Sequence, residues 1–513
     1  MEVFRRDELE SFRSIVAARL GLQFDETKTD LLADAFRLRL KARGRISPAA
    51  YLAGLGSGTQ ESEELRTLAS LLTVGETYFF RAAEHFRALA ELVVPERMRR
   101  RNARGPLRIL SAGCASGDEA YSVAITLRER ISELPRLGVS IVGIDINPVI
   151  LAKARSAHYT VWSLRDTSPE VRDAYFRNDG KNFILNEGIR SMVTFEERNL
   201  AAADGTRWES EQYDVVFCRN VIMYLVPEAA QLAVARLTRV LAPSGFLFLS
   251  HAETLRGLSQ AFHLWHTHDS FYYQKREGDP EPVPRWLSEP VPVPVPAVAE
   301  MDLSWVDAVR LSAEHIESLS RDSAHHLSRP PEGSVGGAVK TARQPALGQV
   351  GIALELLRRE KFREALEALS DLPSEATADR DTQLLRAVLL TNSGDAPGAE
   401  AVCQQVLSAD ELNAGAHYIT ALCREHALDT PGAMEHDRTA IYLDPAFAMP
   451  HLHFGLLARR SGDLRTARHE LEQASALLPR EDASRILLLG GGFSREALLE
   501  FSRAQLRACG GSS

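Results

Sequence analysis

The sequence lacks the long apolar runs that mark membrane-spanning proteins. No stretch of about 18 consecutive apolar residues occurs, so no membrane insertion is expected. The longest apolar runs, such as residues 245–249, have the length of buried strands. The residues after Met1 do not form a signal-peptide pattern, and we therefore expect a soluble, cytoplasmic protein.

Cysteine is also scarce, and the arrangement of potential metal ligands is unfavourable. The five cysteines lie far apart and form no C-x-x-C pair, which argues against a structural zinc site or a dense disulfide framework. Three histidines cluster at His263, His266 and His268, but they lie in an alternating, strand-like stretch. No further ligand spacing accompanies them, so no metal site is predicted.

Positive charge is in deficit over the whole chain. The chain has 60 Lys and Arg residues but 69 Asp and Glu residues, and the resulting net charge of -9 argues against a nucleic-acid partner. A local exception is a row of basic residues with no acid between them: Arg37, Arg39, Lys41, Arg43 and Arg45. Such a row is either a solvated helix face or a docking surface for an acidic partner, and its spacing leaves both open.

The chain of 513 residues is too long for one compact core, and the pattern of its apolar residues changes along its length. Residues 1–80 predict a small all-α domain, because apolar side chains recur there at helical spacing. Residues 81–276 alternate short β-branched runs with helical segments, which predicts an α/β domain on a mostly parallel sheet. The predicted strands are residues 108–112, 140–145, 193–196, 214–218 and 246–250.

The remainder of the chain divides into a linker and a repeat region. Residues 277–345 are rich in proline and predict a disordered linker. A repeat of 34 residues follows, which predicts an α-solenoid of tetratricopeptide repeats over residues 346–480. The recurring positions are Ala365, Ala399, Ala433 and Ala467; Ala353, Ala387, Ala421 and Gly455; and Asp395, Asp429 and Asp463. Residues 481–513 predict a capping helix, over 484–507, and a tail. Arrays of this type form concave grooves, so a protein partner, as yet unknown, is expected for the repeats.

A glycine-containing loop follows the first predicted strand. Gly113 and Gly117 have the spacing G-x-x-x-G, which differs from that of dinucleotide sites and offers no obvious cradle for a pyrophosphate. Glu119 suits a cationic group, and Asp145, at the end of the second strand, can accept both hydroxyls of a ribose. Adenosine joined to a cationic amino acid describes S-adenosylmethionine, with S-adenosylhomocysteine as its product. From these residues alone, turn glycines and a helix-capping aspartate remain an alternative.

Two further motifs are candidates for the same site. The fourth strand ends in Arg219 and Asn220, with Tyr224 close behind, and polar residues at the carboxyl end of a central parallel strand lie where ligands bind. A capping asparagine would explain Asn220 but not its two companions. The segment from Glu76 to Arg81 joins the helical and sheet domains, and its arginine either reaches solvent or lines the site.

In combination these motifs resemble the CheR-type chemoreceptor methyltransferases, over about residues 4–275. The matching motifs are Thr77-x-Phe79-Phe80-Arg81, Gly117-x-Glu119-x-Tyr121-Ser122, Asp145, Asn199-Leu200, Phe217-Cys218-Arg219-Asn220-x-x-x-Tyr224 and Ser250-His251-x-Glu253. The resemblance implies a Rossmann-like, S-adenosylmethionine-dependent methyltransferase domain that esterifies glutamates of chemoreceptors in chemotaxis-type adaptation. Together with Gly113, it implies a cofactor site made of Thr77, Arg81, Glu119, Asp145, Asn199, Leu200, Arg219 and Asn220. Arg81 and Tyr224 would lie nearest the transferred methyl group, as catalytic residues.

The resemblance also bears on substrate docking. It favours docking of the basic row against acidic cytoplasmic helices of the receptor, and it implies a small β-subdomain at about residues 155–192 that touches the receptor. One departure is Gly75, where the family commonly has asparagine, so a cofactor contact through that side chain is expected to be lost.

Two alternatives to a protein-glutamate methyltransferase with a docking or regulatory repeat domain stay open. One is a methyltransferase that acts on a small molecule or nucleic acid. The other is an inactive scaffold that acts through its repeats, and the intact Arg81, Glu119, Asp145 and Asn220 argue against it.

Overall fold

The computed structural model describes most of the chain. The described residues are 4–44, 46–55, 59–100, 105–132, 138–201, 208–277, 344–359, 361–370, 372, 379–491 and 493–509. Arg45, residues 278–343 of the predicted linker and the last four residues of the predicted tail lie outside them. The chain divides into two compact units, Met1–Pro292 and Val293–Ser513. Within the part that the structure describes, every helix is too short or too polar to span a bilayer.

The N-terminal part of the first unit is helical, as predicted, and its described residues form four α-helices. They are α1 (Arg6–Leu20), α2 (Thr29–Ala42), α3 (Pro48–Gly54) and α4 (Thr59–Leu72). Phe12 of α1 stacks on Phe36 of α2 with ring centroids 4.5 Å apart, and both side chains are fully buried. The apolar spacing in the sequence therefore marks the faces through which these helices pack.

Ten strands follow among the described residues of the first unit. They are β1 (Leu107–Ala112), β2 (Val139–Asp145), β3 (His158–Tyr159), β4 (Phe176–Asn178), β5 (Phe183–Leu185), β6 (Val193–Glu197), β7 (Tyr213–Phe217), β8 (Leu241–Phe248), β9 (Phe262–Thr267) and β10 (Ser270–Lys275). The main sheet has the order β6-β2-β1-β7-β8-β10-β9. Its first five strands pair in parallel and are the five predicted ones, whereas β10 is antiparallel to β8 and β9. The predicted β-subdomain is a separate sheet of order β3-β5-β4.

Helices cover the main sheet and supply the crossovers between its strands. They are α5 (Ala83–Ala88), a π-helical turn (Leu89–Val93), α6 (Val94–Arg100), α7 (Asp118–Arg130), α8 (Pro148–Ser156), α9 (Pro169–Tyr175), α10 (Glu187–Arg190) and α11 (Pro227–Val240). Because β1, β2, β7 and β8 are parallel, their carboxyl ends meet at one edge, and the loops that carry the predicted motifs emerge there together.

The second unit is a series of helices that confirms the predicted repeats. They are α12 (Gln344–Arg358), α13 (Phe362–Ser370), α14 (Arg380–Asn392), α15 (Ala396–Ala409), α16 (Ala414–His426), α17 (Thr430–Leu443), α18 (Ala448–Arg460), α19 (Leu464–Leu477), α20 (Ala483–Leu489) and α21 (Arg495–Cys509). Asp395, Asp429 and Asp463 cap α15, α17 and α19 by accepting a backbone N–H three residues on. The alanines that recur at 34 residues are fully buried, and a Cβ at Gly455 would lie 2.8 Å from Leu471 Cγ. The recurring small residues therefore mark the closest approaches between paired helices.

The end of the repeat region differs from the prediction. Instead of one capping helix over residues 484–507, the structure has α20 and α21 separated at a glycine turn. The backbone N–H of Gly490 still donates to Ile486 O at 2.8 Å, and Gly491 then adopts a left-handed φ of 61°. That conformation, which glycine adopts without strain, ends the first helix.

The structure also revises the picture of the basic row on α2. Glu64 of α4, which is only 4% exposed, accepts hydrogen bonds from Arg39 (2.7 and 2.8 Å), Arg43 (2.7 and 2.9 Å) and the Tyr51 hydroxyl (2.6 Å). Arg37 pairs with Asp34 at the surface, and Lys41 is exposed. Arg39 and Arg43 thus tie α2 to α4, because the acid that binds them comes more than 20 residues later in the chain. A docking role for the row stays a prediction, and it now applies best to its exposed members.

The Glu64 cluster gives the first unit a measurable dependence on pH. Burial alone would raise the pKa of the Glu64 carboxyl, but the hydrogen bonds from Arg39, Tyr51 and Arg43 lower it to about 2. A depressed carboxyl pKa contributes stability that is fully present above the unfolded-state value of 4.5. This stability is lost as the pH falls through the folded-state value.

We predict that Glu64→Gln lowers the free energy of unfolding by about 2–4 kcal/mol at pH 7, because two guanidinium groups lose their buried partner. The difference from wild type should persist down to pH 4.5 and shrink between pH 4.5 and about 2, as urea unfolding followed by circular dichroism would measure. The exposed neighbour Glu63 provides the matched control, since Glu63→Gln should stay within about 0.5 kcal/mol of wild type. Equal losses in the two variants would contradict this account of the cluster.

Candidate functional site

A cavity opens at the carboxyl edge of the parallel strands, beside the N-terminal helices. Apolar side chains form much of its wall: Leu20, Leu22, Phe24, Leu72, Ile146 and Ile150. The predicted site residues that also line it are Gly113, Asp145, Asn199, Leu200, Asn220 and Tyr224. Residues from four separate loops therefore converge on one space, although they are spread over more than 100 positions of the sequence.

Asp145 brings a carboxylate to the cavity at the end of β2. Its Oδ1 accepts the backbone N–H of Asn147 and its Oδ2 accepts that of Ala115, both at 2.9 Å. Burial raises the pKa of the carboxyl, and these two backbone donors oppose the rise. Each oxygen has a second lone pair, so the carboxylate, held in place by the backbone, can still accept hydrogen bonds from a ligand's hydroxyl groups.

The glycine loop is shaped by close packing as well as by backbone conformation. Gly113 and Gly117 have φ values of 73° and 84°, in the left-handed region. A Cβ at Gly113 would lie 2.3 Å from Val221 Cγ2, and one at Gly117 would lie 2.8 Å from Phe195 Cζ. Both positions therefore require glycine, and Gly113 brings the loop against the turn that follows β7.

A buried ion pair lies next to the cavity and contains two of the predicted residues. Glu119 Oε2 lies 3.3 Å from Arg219 Nη1, and Glu119 Oε1 accepts a hydrogen bond from Ser111 Oγ at 2.7 Å. Burial raises the pKa of Glu119, and the positive charge of Arg219 acts against it. Arg219 Nη2 donates to the Arg81 carbonyl at 2.5 Å. Glu119 is thus matched to an internal cation, where the sequence suggested a cationic ligand.

The segment that carries Thr77 and Arg81 lies beside this ion pair, and neither residue is among those that line the cavity in the described structure. Phe80 and Ala82 have left-handed φ values of 56° and 58°, which cost non-glycine residues about 1–3 kcal/mol each. The Phe80 N–H donates to Ser122 Oγ of α7 at 3.0 Å. Two anchored, strained residues on either side of Arg81 thus fix the course of its backbone.

Glu253 shapes the turn that carries Asn220 and Tyr224, although the sequence supplied only a motif for it and no role. It is 4% exposed, and its carboxylate accepts the backbone N–H groups of Asn220 (2.7 Å), Val221 (2.8 Å) and Met223 (3.3 Å). It also accepts the N–H and hydroxyl of Ser250, at 3.1 and 2.7 Å. The N–H groups of residues 220–223 lie between the end of β7 and the first turn of a short 3-10 helix, Ile222–Tyr224, and the carboxylate supplies the acceptor that this helix start lacks.

Tyr224 is held by the N-terminal part of the chain. Its carbonyl accepts the N–H of Gln23 at 2.8 Å, and Leu22 forms an antiparallel bridge with Leu225. Lys28 Nζ lies 5.2 Å from the centre of the Tyr224 ring. The segment between α1 and α2 therefore closes the cavity over the tyrosine, a contribution that the sequence did not predict.

The surroundings of Asn199 and Gly75 consist of other protein groups that occupy or bind these positions. The Asn199 amide donates to Arg19 O at 3.3 Å and accepts from the Ala201 N–H at 2.8 Å, so the side chain is engaged by the protein itself. A Cβ at Gly75 would lie 2.1 Å from Ile150 Cδ1. Ile150 therefore occupies the space that a side chain at position 75 would need.

The three clustered histidines lie in the β9–β10 hairpin, where two of them contact neighbouring side chains. His266 stacks on Phe271 with ring centroids 4.2 Å apart, and His268 Nε2 lies 3.0 Å from Glu91 Oε2. Across the described ranges, no group of three or more His, Cys, Asp or Glu side chains is arranged to hold a metal ion.

Comparison with protein families and known proteins gives a consistent result. The family model described as CheR methyltransferase, SAM binding domain, matches residues 75–271. Chemotaxis protein methyltransferase 2 of Vibrio cholerae is 31% identical over 273 residues, which cover 52% of this chain and 92% of the relative. The chemotaxis protein methyltransferase of Escherichia coli is 32% identical over 254 residues, 49% of this chain and 85% of the relative.

A third relative extends beyond the sheet domain. The probable biofilm formation methyltransferase WspC of Pseudomonas putida is 27% identical over 470 residues, which cover 90% of this chain and 97% of the relative. The similarity to this protein therefore includes the repeat region as well as the site.

We predict that Glu253→Gln lowers the free energy of unfolding by about 2–4 kcal/mol, because an amide group would turn a donor toward backbone N–H groups that need an acceptor. The turn at Asn220 should lose its order, so S-adenosylmethionine should bind at least tenfold more weakly by calorimetry. Glu209→Gln, at an exposed acid in the loop before β7, is the matched control and should change neither quantity. Wild-type affinity in the Glu253 variant would show that the turn keeps its shape without the carboxylate.

Proposed function

The chain belongs to the family of the chemotaxis protein methyltransferases, and from this premise we propose that it methylates glutamate side chains of chemoreceptors. Membership makes the chain an S-adenosylmethionine-dependent methyltransferase. The observation that carries the finer proposal is the convergence of Gly113, Asp145, Asn220 and Tyr224 on one cavity, with Arg81 held beside it. The substrate class itself is a proposal from the family.

The residues of the cavity suit an adenosine that carries an amino-acid group. We propose that Asp145 accepts the ribose hydroxyls, since a separate backbone donor on each of its two oxygens fixes the orientation of the carboxylate. The apolar wall around Leu72 and Ile150 suits the adenine ring. The backbone of the glycine loop, with Asn199, Leu200 and Asn220, would bound the rest of the cofactor, and Thr77 and the Glu119–Arg219 pair would lie at its amino-acid end.

The main contribution of the chain to the reaction is to align the glutamate carboxylate with the methyl group of the cofactor. A glutamate carboxylate is ionised near pH 7, so no general base is needed. When bound, the cofactor supplies an activated methyl group, and the substrate oxygen bonds to its carbon as the carbon–sulfur bond breaks, which leaves a methyl ester and S-adenosylhomocysteine. Arg81 would hold the substrate carboxylate, and Tyr224 would orient it. The segment over Tyr224 would help to keep water from the reacting groups.

The test is transfer of a radiolabelled methyl group by the full chain to membranes that contain chemoreceptors. Base-labile label on a receptor band would support the proposal, because methyl esters of glutamate hydrolyse in alkali. Label on a small molecule or on nucleic acid would favour the alternative enzyme, and no transfer to any fraction would favour a scaffold.

The repeat unit adds a second element to the proposal, which is the docking of a protein partner. A cavity of about 370 Å³ in this unit is lined by apolar side chains, among them Tyr418, Met449, Leu452 and Phe501. Arrays of paired helices commonly bind peptides or helices at such surfaces. WspC, which is similar over both units, is a probable biofilm formation methyltransferase, and this favours a receptor of a biofilm-forming pathway as the substrate.

We predict that Arg81→Ala and Tyr224→Phe each lower kcat by about 10- to 100-fold, because misplaced reacting groups lose the gain from alignment. Affinity for S-adenosylmethionine, measured by calorimetry, should stay within about threefold of wild type. Full activity in both variants would defeat the assignment of these two residues.

Asp145→Ala should act at the other end of the cavity. We expect at least a tenfold loss of affinity for S-adenosylmethionine, since the lost hydrogen bonds to a charged group are worth about 1.5–3 kcal/mol each. Calorimetry on the full chain measures this loss directly. Unchanged affinity would mean that the ribose lies elsewhere.

A further inference from the structure

Two guanidinium groups lie against the ring of Tyr78, beside the proposed methyl-transfer site. Arg165 Cζ is 3.3 Å from the centre of this ring and 4.0 Å from that of Trp162, and Arg81 Cζ is 5.6 Å from the Tyr78 ring. Arg165 Nη1 also donates to the Trp162 carbonyl at 2.8 Å. Stacking on two rings and one hydrogen bond thus hold Arg165 in a defined orientation.

Neither cation is neutralised by an ion pair within the described part of the chain. This distinguishes them from Arg219, which is paired with Glu119, and from Arg97, which is paired with Asp214 at 2.9 Å. Asp118 is fully buried and accepts a hydrogen bond from Ser116. Burial raises the pKa of its carboxyl to about 6, although the positive charge of Arg165 acts against this rise. The pair therefore presents an excess of positive charge at the site.

The surface beside Arg165 is unusually apolar. Val161 is 71% exposed and Trp162 is 62% exposed, although a tryptophan is normally largely buried in a folded chain. Tryptophan, tyrosine and arginine are the residues most enriched where proteins bind partners. The combination suits a partner that offers carboxylates next to apolar side chains.

We propose that Arg165 binds a second carboxylate of the substrate helix, about one helical turn from the glutamate that is methylated. The inference rests on the proposed function, in which Arg81 holds the reacting carboxylate. Arg165 would then be a specificity residue, and Trp162 would pack on the apolar flank of the same helix.

The geometry supports this spacing. Arg165 Cζ lies 3.3 Å and Arg81 Cζ lies 5.6 Å from the centre of the same Tyr78 ring. The distance between the two carbons therefore cannot exceed the sum of these two distances. Side chains three or four positions apart on a helix have Cβ atoms about 5–6 Å apart and point the same way, whereas adjacent side chains do not face each other. Two carboxylates one turn apart can therefore reach both cations at once.

The experiment uses the full chain and a purified cytoplasmic fragment of a chemoreceptor that the wild-type chain labels, with the labelled glutamate mapped by mass spectrometry. We expect an acidic residue three or four positions from that glutamate, and its replacement with glutamine should raise KM at least fivefold. Arg165→Gln should raise KM for the native fragment to the same extent. In this variant, replacement of the acidic residue of the fragment with glutamine should have no further effect on KM. Arg165→Lys should restore part of the affinity.

Several readouts separate this role from a structural one. In Arg165→Gln, affinity for S-adenosylmethionine, kcat at saturation and the thermal midpoint should stay near wild type. Arg177→Gln, at an exposed arginine of the same subdomain, is the matched control and should leave KM unchanged.

Two results would overturn the inference while the proposed function stands. One is a labelled glutamate with no acid three or four positions away. The other is an Arg165 variant that keeps the wild-type KM or stays sensitive to the substrate change. If the wild-type chain labels no glutamate in any fragment, the proposed function fails first.

Discussion

A single buried carboxylate determines the shape of the turn on which the site depends. Where β7 ends, the chain must reverse toward α11 without a strand or helix to satisfy its backbone N–H groups, and Asn220 takes a left-handed conformation there. Glu253 accepts three of these N–H groups and is itself fixed by Ser250. A buried carboxylate is tolerated only when such donors surround it, so the turn and the acid stabilise each other. Asn220 and Tyr224 reach the cavity from this turn.

The Glu119–Arg219 pair extends the same principle to side chains. Each charge would be costly to bury alone, and together with Ser111 and the Arg81 carbonyl they form a connected network. Within the described residues, Arg219 Nε is the atom of this network that has no hydrogen-bond partner. The network joins the glycine loop, the β7 turn and the segment before α5. Such a connection fixes three loops relative to one another.

Much of the fold follows from local pattern, whereas the site depends on partners that pattern cannot reveal. The five parallel strands, the repeat caps and the buried alanines follow from β-branched runs and from a 34-residue period, which are short-range signals. Glu64 satisfies side chains that lie 13 to 25 residues away in the sequence, and Glu253 satisfies backbone groups of the β7 turn that lie 30 to 33 residues away. Only the folded chain brings these partners together. The basic row on α2 is a clear example, because charge spacing could not show that Arg39 and Arg43 face an internal acid. Likewise, the space left by Gly75 is filled by Ile150, which no motif contains.

The closure over Tyr224 links two parts of the molecule that sequence motifs treat as separate. Leu22 and Gln23, between α1 and α2, are bonded to the backbone of residues 224 and 225. These contacts fix the backbone of Tyr224 and one wall of the cavity relative to the amino-terminal helices. The amino-terminal helices are in this sense part of the wall of the cavity, and not merely a platform beside it.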